Sequence, residues 1–215
     1  MPNNKALYSY YRKTKREPCV LPNGMTAIGI DIGINPIMAT SEGAFYLLRE
    51  ILAKKDSDKI SKYMIGRIDE AVNHAISGHD IICLETLDDN WINNDEVFTR
   101  YRAGRYISHC IKAIHQAAEV GQKRVVCISQ YYASSKTCGQ CGNINRELPF
   151  GKTLWRCPKC ATFHHRDINA AENILREGLR VAGIKEYSLQ PPSYYKNCYQ
   201  KILSSQAQGM LAVRT

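Results

Sequence analysis

Cys138-Gly139-Gln140-Cys141 and Cys157-Pro158-Lys159-Cys160, with His164-His165-Arg166-Asp167-Ile168-Asn169-Ala170-Ala171-Glu172-Asn173-Ile174 close behind, decide how this chain is read. Fifteen residues separate the two Cys-x-x-Cys knuckles, within the spacing of a four-cysteine zinc ribbon. Four thiolates (Cys138, Cys141, Cys157 and Cys160) complete a tetrahedral Zn²⁺ shell and leave no open position, so the ion is expected to be structural. Catalysis then has to come from other side chains. His164 and His165 could be read as further ligands, which four cysteines make superfluous, or as groups approaching a scissile phosphate. Trp155 and Phe163 supply the ribbon with a small core.

Beyond the ribbon, Ile168, Ala171, Leu175, Leu179 and Ala182 fall on one face of a helix, which puts Asp167 at its cap or first turn. Before it, Arg124 to Ser129 reads as a strand. A long helix is expected from about Asp95 to Val120, with Val97, Tyr101, Ile107, Ile111, Ile114 and Ala118 as its apolar stripe and Gly121 as its stop. Asp80 to Leu87 is a short buried strand that carries Glu85 near its end. Lys54 to Lys62 reads as a charged linker, followed by a helix marked by Tyr63, Ile65, Ile68, Val72 and Ile76. The run from Met25 to Asn35 is apolar almost throughout and predicts a strand buried on both faces. Asp31 lies in its middle, with Gly29 and Gly33 clearing room beside it. Turns at Asn35-Pro36 and Glu42-Gly43 then mark two further strands, 37–41 and 44–52, and an antiparallel meander.

The element order predicts an α/β fold with a mixed sheet. Its domain organisation is a basic N-terminal arm (1–24), a main domain (25–133 and 164–183), a ribbon insert (134–163) and an irregular tail (184–215). At 215 residues the chain can bury one ordinary core plus such an insert. Twenty-nine Lys and Arg against twenty Asp and Glu give a formal charge of +9, which favours a polyanionic partner such as nucleic acid. No stretch resembles a secretory leader or reaches the roughly eighteen apolar residues of a membrane span. The nine cysteines are therefore expected in a reduced, intracellular protein near the nucleoid; Cys19, Cys83, Cys110, Cys127 and Cys198 read as small buried hydrophobes. The arm interleaves Lys5, Arg12, Lys13, Lys15 and Arg16 with tyrosines and is either solvated or a phosphate-contacting segment. Arg100, Arg102 and Arg105, beside Tyr101 and Tyr106, form either a solvated face or a phosphate track. Lys136, Lys152, Arg156, Lys159 and Arg166 are candidates for nucleic-acid contacts.

Asp31, Glu85 and Asp167 each have an ordinary reading alone, as a strand-end turn residue, a solvated strand terminus and a helix cap. A carboxylate inside an apolar strand nevertheless costs several kcal/mol unless paired, neutralised or bound to a cation. Convergence of the three on hard divalent cations, Mg²⁺ or Mn²⁺, resolves that cost. Two such ions about 4 Å apart activate water and stabilise the leaving oxygen of a phosphodiester.

Gly29-Ile30-Asp31-Ile32-Gly33-Ile34-Asn35 with Ala39-Thr40-Ser41-Glu42-Gly43, then Ile81-Ile82-Cys83-Leu84-Glu85-Thr86-Leu87, resembles the first two RuvC motifs of TnpB proteins and the related type V CRISPR effectors. Tyr132 to Gly142, Trp155 to Cys160 and Arg166 to Ile174 are similar to that family's target-nucleic-acid-binding zinc ribbon running into the third motif. The resemblance covers roughly residues 25–182. It implies an RNase H-like (RuvC) fold with Asp31, Glu85 and Asp167 as the metal-binding triad, and an RNA-guided DNA endonuclease lineage tied to transposons. Full-length relatives carry a large N-terminal part that grips the guide RNA, whereas only a short arm precedes Gly29. Targeting is then expected from an RNA, a second protein chain or self-dimerisation, or from shape recognition of branched DNA as in a resolvase. A second class of function is a non-catalytic nucleic-acid-binding zinc protein, either a decayed transposon fragment or an RNA-guided regulator.

Overall fold

The computed structural model describes residues 17–46, 58–87 and 104–189. Its central sheet is built from β1 (Cys19–Val20), β2 (Thr26–Ile32), β3 (Met38–Thr40), β4 (Phe45–Tyr46), β5 (Ile81–Glu85) and β6 (Arg124–Ile128). The strand order is β4-β3-β2-β5-β6, with β1 also paired to β2. β2, β3 and β4 form the expected antiparallel meander, whereas β2–β5 and β5–β6 pair in parallel. This mixed sheet with helices on both sides is the RNase H-like arrangement expected from the motifs.

Among the described residues, three helices cover the sheet: α1 (Asp58–Ile76), α2 (Gly104–Val120) and α3 (Arg166–Val181). Side-chain alternation along the strands sorts the core into two layers. Ile28, Ile30, Ile82 and Leu84 pack with Met64, Ile68 and Val72 of α1 and with Tyr106, Ile107 and Ile114 of α2. On the opposite face, Ala27, Ile81, Cys83, Val126 and Ile128 meet Ile174, Leu175 and Leu179 of α3. The two-sided burial predicted for the Met25 to Asn35 run is what this layering produces.

Gly29 serves a different purpose from the one expected. A methyl group there would collide with the Ala171 carbonyl and with Leu175, so the glycine lets α3 lie directly on β2 rather than clearing space beside Asp31. Gly178 does the same from the helix side, where a side chain would meet Cys83. α3 thus runs along β2 and β5 with its first turn at their C-terminal ends.

Several boundaries differ from expectation. The segment read as a charged linker contributes the first turn of α1, which starts at Asp58. Its inward stripe is Met64, Ile68, Val72 and Ala75, while Tyr63 and Ile65 face out at 55% and 37% exposure. The end of the basic arm is not solvated, because Cys19 and Leu21 are buried and β1 pairs with β2. The tail is docked as far as residue 189: Ser188 bridges to Val20, and Ile184, Tyr187 and Leu189 pack against the α3 side of the core. Cys127 is exposed, because on β6 it points away from the Val126–Ile128 face. The expected strand beyond Tyr46, the first part of the helix before Gly104, Arg100, Arg102, Cys198 and most of the arm and tail lie outside the described residues.

Candidate functional site

Asp31 and Glu85 sit on the two parallel strands at the centre of the sheet. The β2–β5 register pairs Ala27 with Ile81, Gly29 with Cys83 and Ile30 with Leu84. Continued by one residue, it sets Asp31 beside Glu85, and strict alternation turns both toward the α3 face. Asp167 approaches from that face in the first turn of α3, where the helix start also favours negative charge. His165 occupies the cap position, and no side chain caps the helix, so Asp167 is not the capping residue.

The electrostatics follow from this gathering. Burial pushes the Asp31 carboxyl well above the ordinary aspartate range, and the charges of Asp167 and Glu85 push it further, with Arg166 pulling back. Burial alone raises Glu85 to about 7, against a hydrogen bond from Ser134. Asp167 rises to about 6 by burial, opposed by Arg166. One Glu85 oxygen, Oε1, is buried with no hydrogen-bond partner. Three buried carboxyls that hold their protons more tightly than usual, one with an orphaned oxygen, are a donor set suited to a hard cation. The three nevertheless stand further apart than the cysteines: among the described residues, the four cysteines are the one group of metal-ligating side chains close enough to share an ion.

The ribbon consists of the two knuckles and a hairpin of β7 (Leu154–Arg156) and β8 (Phe163–His165). The ligand atoms of Cys138, Cys141, Cys157 and Cys160 all lie within 4.8 Å of one another. The Sγ separations Cys138–Cys160 and Cys141–Cys157 are 3.6 and 3.7 Å, near the edge of about 3.8 Å for a tetrahedron with Zn–S bonds of about 2.3 Å. The donor set therefore fits a tetrahedral thiolate-bound ion. Trp155 and Leu148 complete the small core, as expected for Trp155.

Three polar residues on α3 fasten the first knuckle. Asn169 receives the Gly139 amide at 3.0 Å and donates to the Thr137 carbonyl at 2.7 Å. Asn173 donates to the carbonyls of Ser134 and Thr137 at 2.8 and 2.7 Å, and Arg176 donates to Gly139 O at 3.1 Å. The signal for this clamp, two asparagines four residues apart behind Asp167, was present in the motif but unassigned. Ser134 had no signal of its own; it joins Glu85 to this clamp.

His164 and His165 do not approach a substrate, being 1% and 0% exposed. The His164 Nε2 lies 3.1 Å from Cys138 Sγ, and its ring rests on Trp155 at 4.6 Å. The His165 ring packs on Phe45 at 4.7 Å, and its Nδ1 lies 3.9 Å from the Asp167 carboxylate. Burial lowers both imidazoles, to about 4 for His164, where Arg176 adds to the effect, and to about 3 for His165; both are neutral near pH 7. Arg166 is largely committed within the chain: it donates to Pro149 O and Ser135 Oγ, and its guanidinium lies over the Phe150 ring. Arg105 is exposed and lies against Tyr106, Arg156 covers Phe163, and Lys136 and Lys159 keep part or all of their surface open. His109 is structural, binding Asp69 at 2.8 Å across α1 and α2.

The sheet has the RNase H-like (RuvC) arrangement and carries a four-cysteine module. Residues 109–174 match the family described as Cas12f1-like, TNB domain. A putative RNA-guided DNA endonuclease of Streptomyces pristinaespiralis is 44% identical over 68 residues, which are 32% of this chain and 16% of that relative. TnpB-like protein L79 of Acanthamoeba polyphaga mimivirus is 43% identical over 49 residues, 23% of this chain and 9% of the relative. Among solved structures, Cas12f1 in a complex with single-guide RNA and target DNA superposes with a TM-score of 0.52 at 19% identity, over 69% of this chain and 49% of that one; at that identity the likeness concerns the fold. Over these segments the chain is similar to Cas12f1- and TnpB-like proteins, and it matches well under two thirds of each of these relatives. No helix among the described residues is long and apolar enough to cross a membrane.

Proposed function

We propose that this chain is a metal-dependent DNA endonuclease of TnpB type, with Asp31, Glu85 and Asp167 holding Mg²⁺ or Mn²⁺ and the four cysteines holding a structural Zn²⁺. The observation that carries the reading is the strand register that, continued by one residue, sets Asp31 beside Glu85, with Asp167 in the first turn of α3; burial raises the Asp31 carboxyl, and the charges of Asp167 and Glu85 raise it further. When bound, such hard cations polarise a water and stabilise the departing oxygen of the phosphodiester. Asp31 and Glu85 supply oxygens from the rigid centre of the sheet, and Asp167 supplies one from the start of α3. Ser134 orients Glu85 through its hydrogen bond, and Arg166 moderates the negative field between Asp31 and Asp167. Residues 25–133 with 164–183 make up the nuclease domain, and 134–163 the ribbon. Similarity to an RNA-guided DNA endonuclease and to Cas12f1 bound to guide RNA and target DNA supports DNA as substrate and RNA as guide; a partner chain or a second copy is the other source of targeting in this reading.

The alternative, a nucleic-acid-binding zinc protein without catalysis, is favoured by one observation: the carboxylates are not drawn together as tightly as the cysteines. Cleavage of single-stranded, duplex and branched DNA with Mg²⁺, compared with Asp31→Ala, separates the two. Metal-dependent cleavage lost in the variant supports the endonuclease. DNA binding by both proteins with no cleavage by either supports the alternative.

A further inference from the structure

His164 is buried to 1% exposure, yet neither the ribbon's chemistry nor the carboxylate site uses it. A neutral imidazole has one N–H to give and one lone pair to receive. Here Nδ1 is buried without a hydrogen-bond partner, whereas Nε2 stands 3.1 Å from Cys138 Sγ. A thiolate is an acceptor only, so the proton in this contact resides on Nε2. The ring cannot swing away, since it is stacked against Trp155 at 4.6 Å and its strand neighbour Trp155 pairs with it across β7–β8. Cys138 is itself buried against Trp155, Leu148 and Cys157; the backbone amides of Gln140 and Cys141 reach its sulfur, and the His164 N–H is the side-chain donor beside them, each offsetting the cost of a thiolate in apolar surroundings.

We propose that His164 is a positioning residue for the ribbon metal, donating from Nε2 to the Cys138 thiolate and fixing that ligand's orientation and charge. This rests on the reading that the four cysteines hold a metal. Outer hydrogen bonds of this kind commonly contribute 10- to 100-fold to metal affinity. Because His165, the next residue, packs on Phe45 and borders Asp167, the same short strand joins the metal cluster to the first turn of α3.

The test loads the full chain with ¹¹³Cd²⁺ and, separately, Co²⁺. In the native chain, the His164 Nε2 proton is expected to show scalar coupling to ¹¹³Cd through the Cys138 sulfur, and Co²⁺ absorption is expected to report four sulfur ligands. His164→Phe keeps the ring on Trp155 but removes the donor; it is expected to lose the coupling and to hold Co²⁺ about 10- to 100-fold more weakly against a competing chelator. His164→Gln, which retains an N–H, is expected to recover part of that loss. An absent coupling in the native chain, or affinity in His164→Phe within about twofold of native, overturns the inference while leaving the metal ribbon intact. A Co²⁺ spectrum with three sulfurs and one nitrogen also overturns it, by making His164 a direct ligand. Failure of the native chain to bind either ion defeats the metal reading and this inference together. The native coupling decides the matter even where His164→Phe does not fold.

Discussion

At the residue scale, the carboxylates carry a cost that a cation would remove. Folded Glu85 and Asp167 hold protons to about pH 7 and about pH 6, whereas the unfolded chain releases them near pH 4. Between those limits the folded state binds more protons at these carboxyls, so their contribution to stability falls as pH rises from about 4 through 7, while the buried, neutral His164 and His165 contribute in the opposite direction up to about pH 6.5. Each such proton contributes at most about 1.4 kcal/mol per pH unit. Urea melts of the zinc-loaded chain without Mg²⁺ or Mn²⁺ should therefore show Asp31→Asn gaining stability relative to the native chain on going from pH 5 to pH 8, since the variant removes one carboxyl and leaves the histidines in place. A native-to-variant difference that does not change with pH would mean Asp31 is solvated and independent of the other two. Adding Mn²⁺ at pH 8 should stabilise the native chain and leave Asp31→Asn nearly unchanged.

At the scale of elements, α3 is where sheet, carboxylates and ribbon meet. Gly29→Ala forces a methyl into the Ala171 carbonyl and Leu175, so it should destabilise the fold by about 2–3 kcal/mol in urea melts; a change under about 0.5 kcal/mol would mean α3 does not lie on β2. Asn173→Ala removes one of the two asparagine donors to the Ser134 and Thr137 carbonyls, leaving Asn169 as the other, and should cost about 1 kcal/mol. It should also make residues 134–163 more susceptible to limited proteolysis. Neither role was legible from the sequence, because each depends on which helix approaches which strand. The asparagine pair could be seen but not its target, and glycines around an aspartate suggested space for the carboxylate when the space is for a helix. The strands were legible because isoleucine-rich runs between turn residues leave few alternatives. The inward face of α1 was not, since Met64 rather than Tyr63 and Ile65 meets the sheet, and a stripe of mixed large apolar residues allows either register.

Over the whole molecule, one mixed sheet separates two tasks. The α1–α2 side is an apolar core with no chemistry assigned to it, and the α3 side brings a metal ribbon and three acidic residues to the same end of β2 and β5. Fold class and the acid-bearing elements were readable because a carboxylate in an apolar strand is hard to explain otherwise. The distances between them were not, since those depend on how α3 seats. Stripping the ribbon metal with a chelator should lower the melting temperature, because the first knuckle holds the Asn169–Asn173–Arg176 face of α3; an unchanged melt would make the ribbon an independent appendage. The central claim is that Asp31, Glu85 and Asp167 share a hard cation. Calorimetric titration of the zinc-loaded chain with Mn²⁺ tests it most directly: saturable binding abolished by Asp31→Asn and by Asp167→Asn is the predicted result, and no binding, or equal binding in all three proteins, would contradict it.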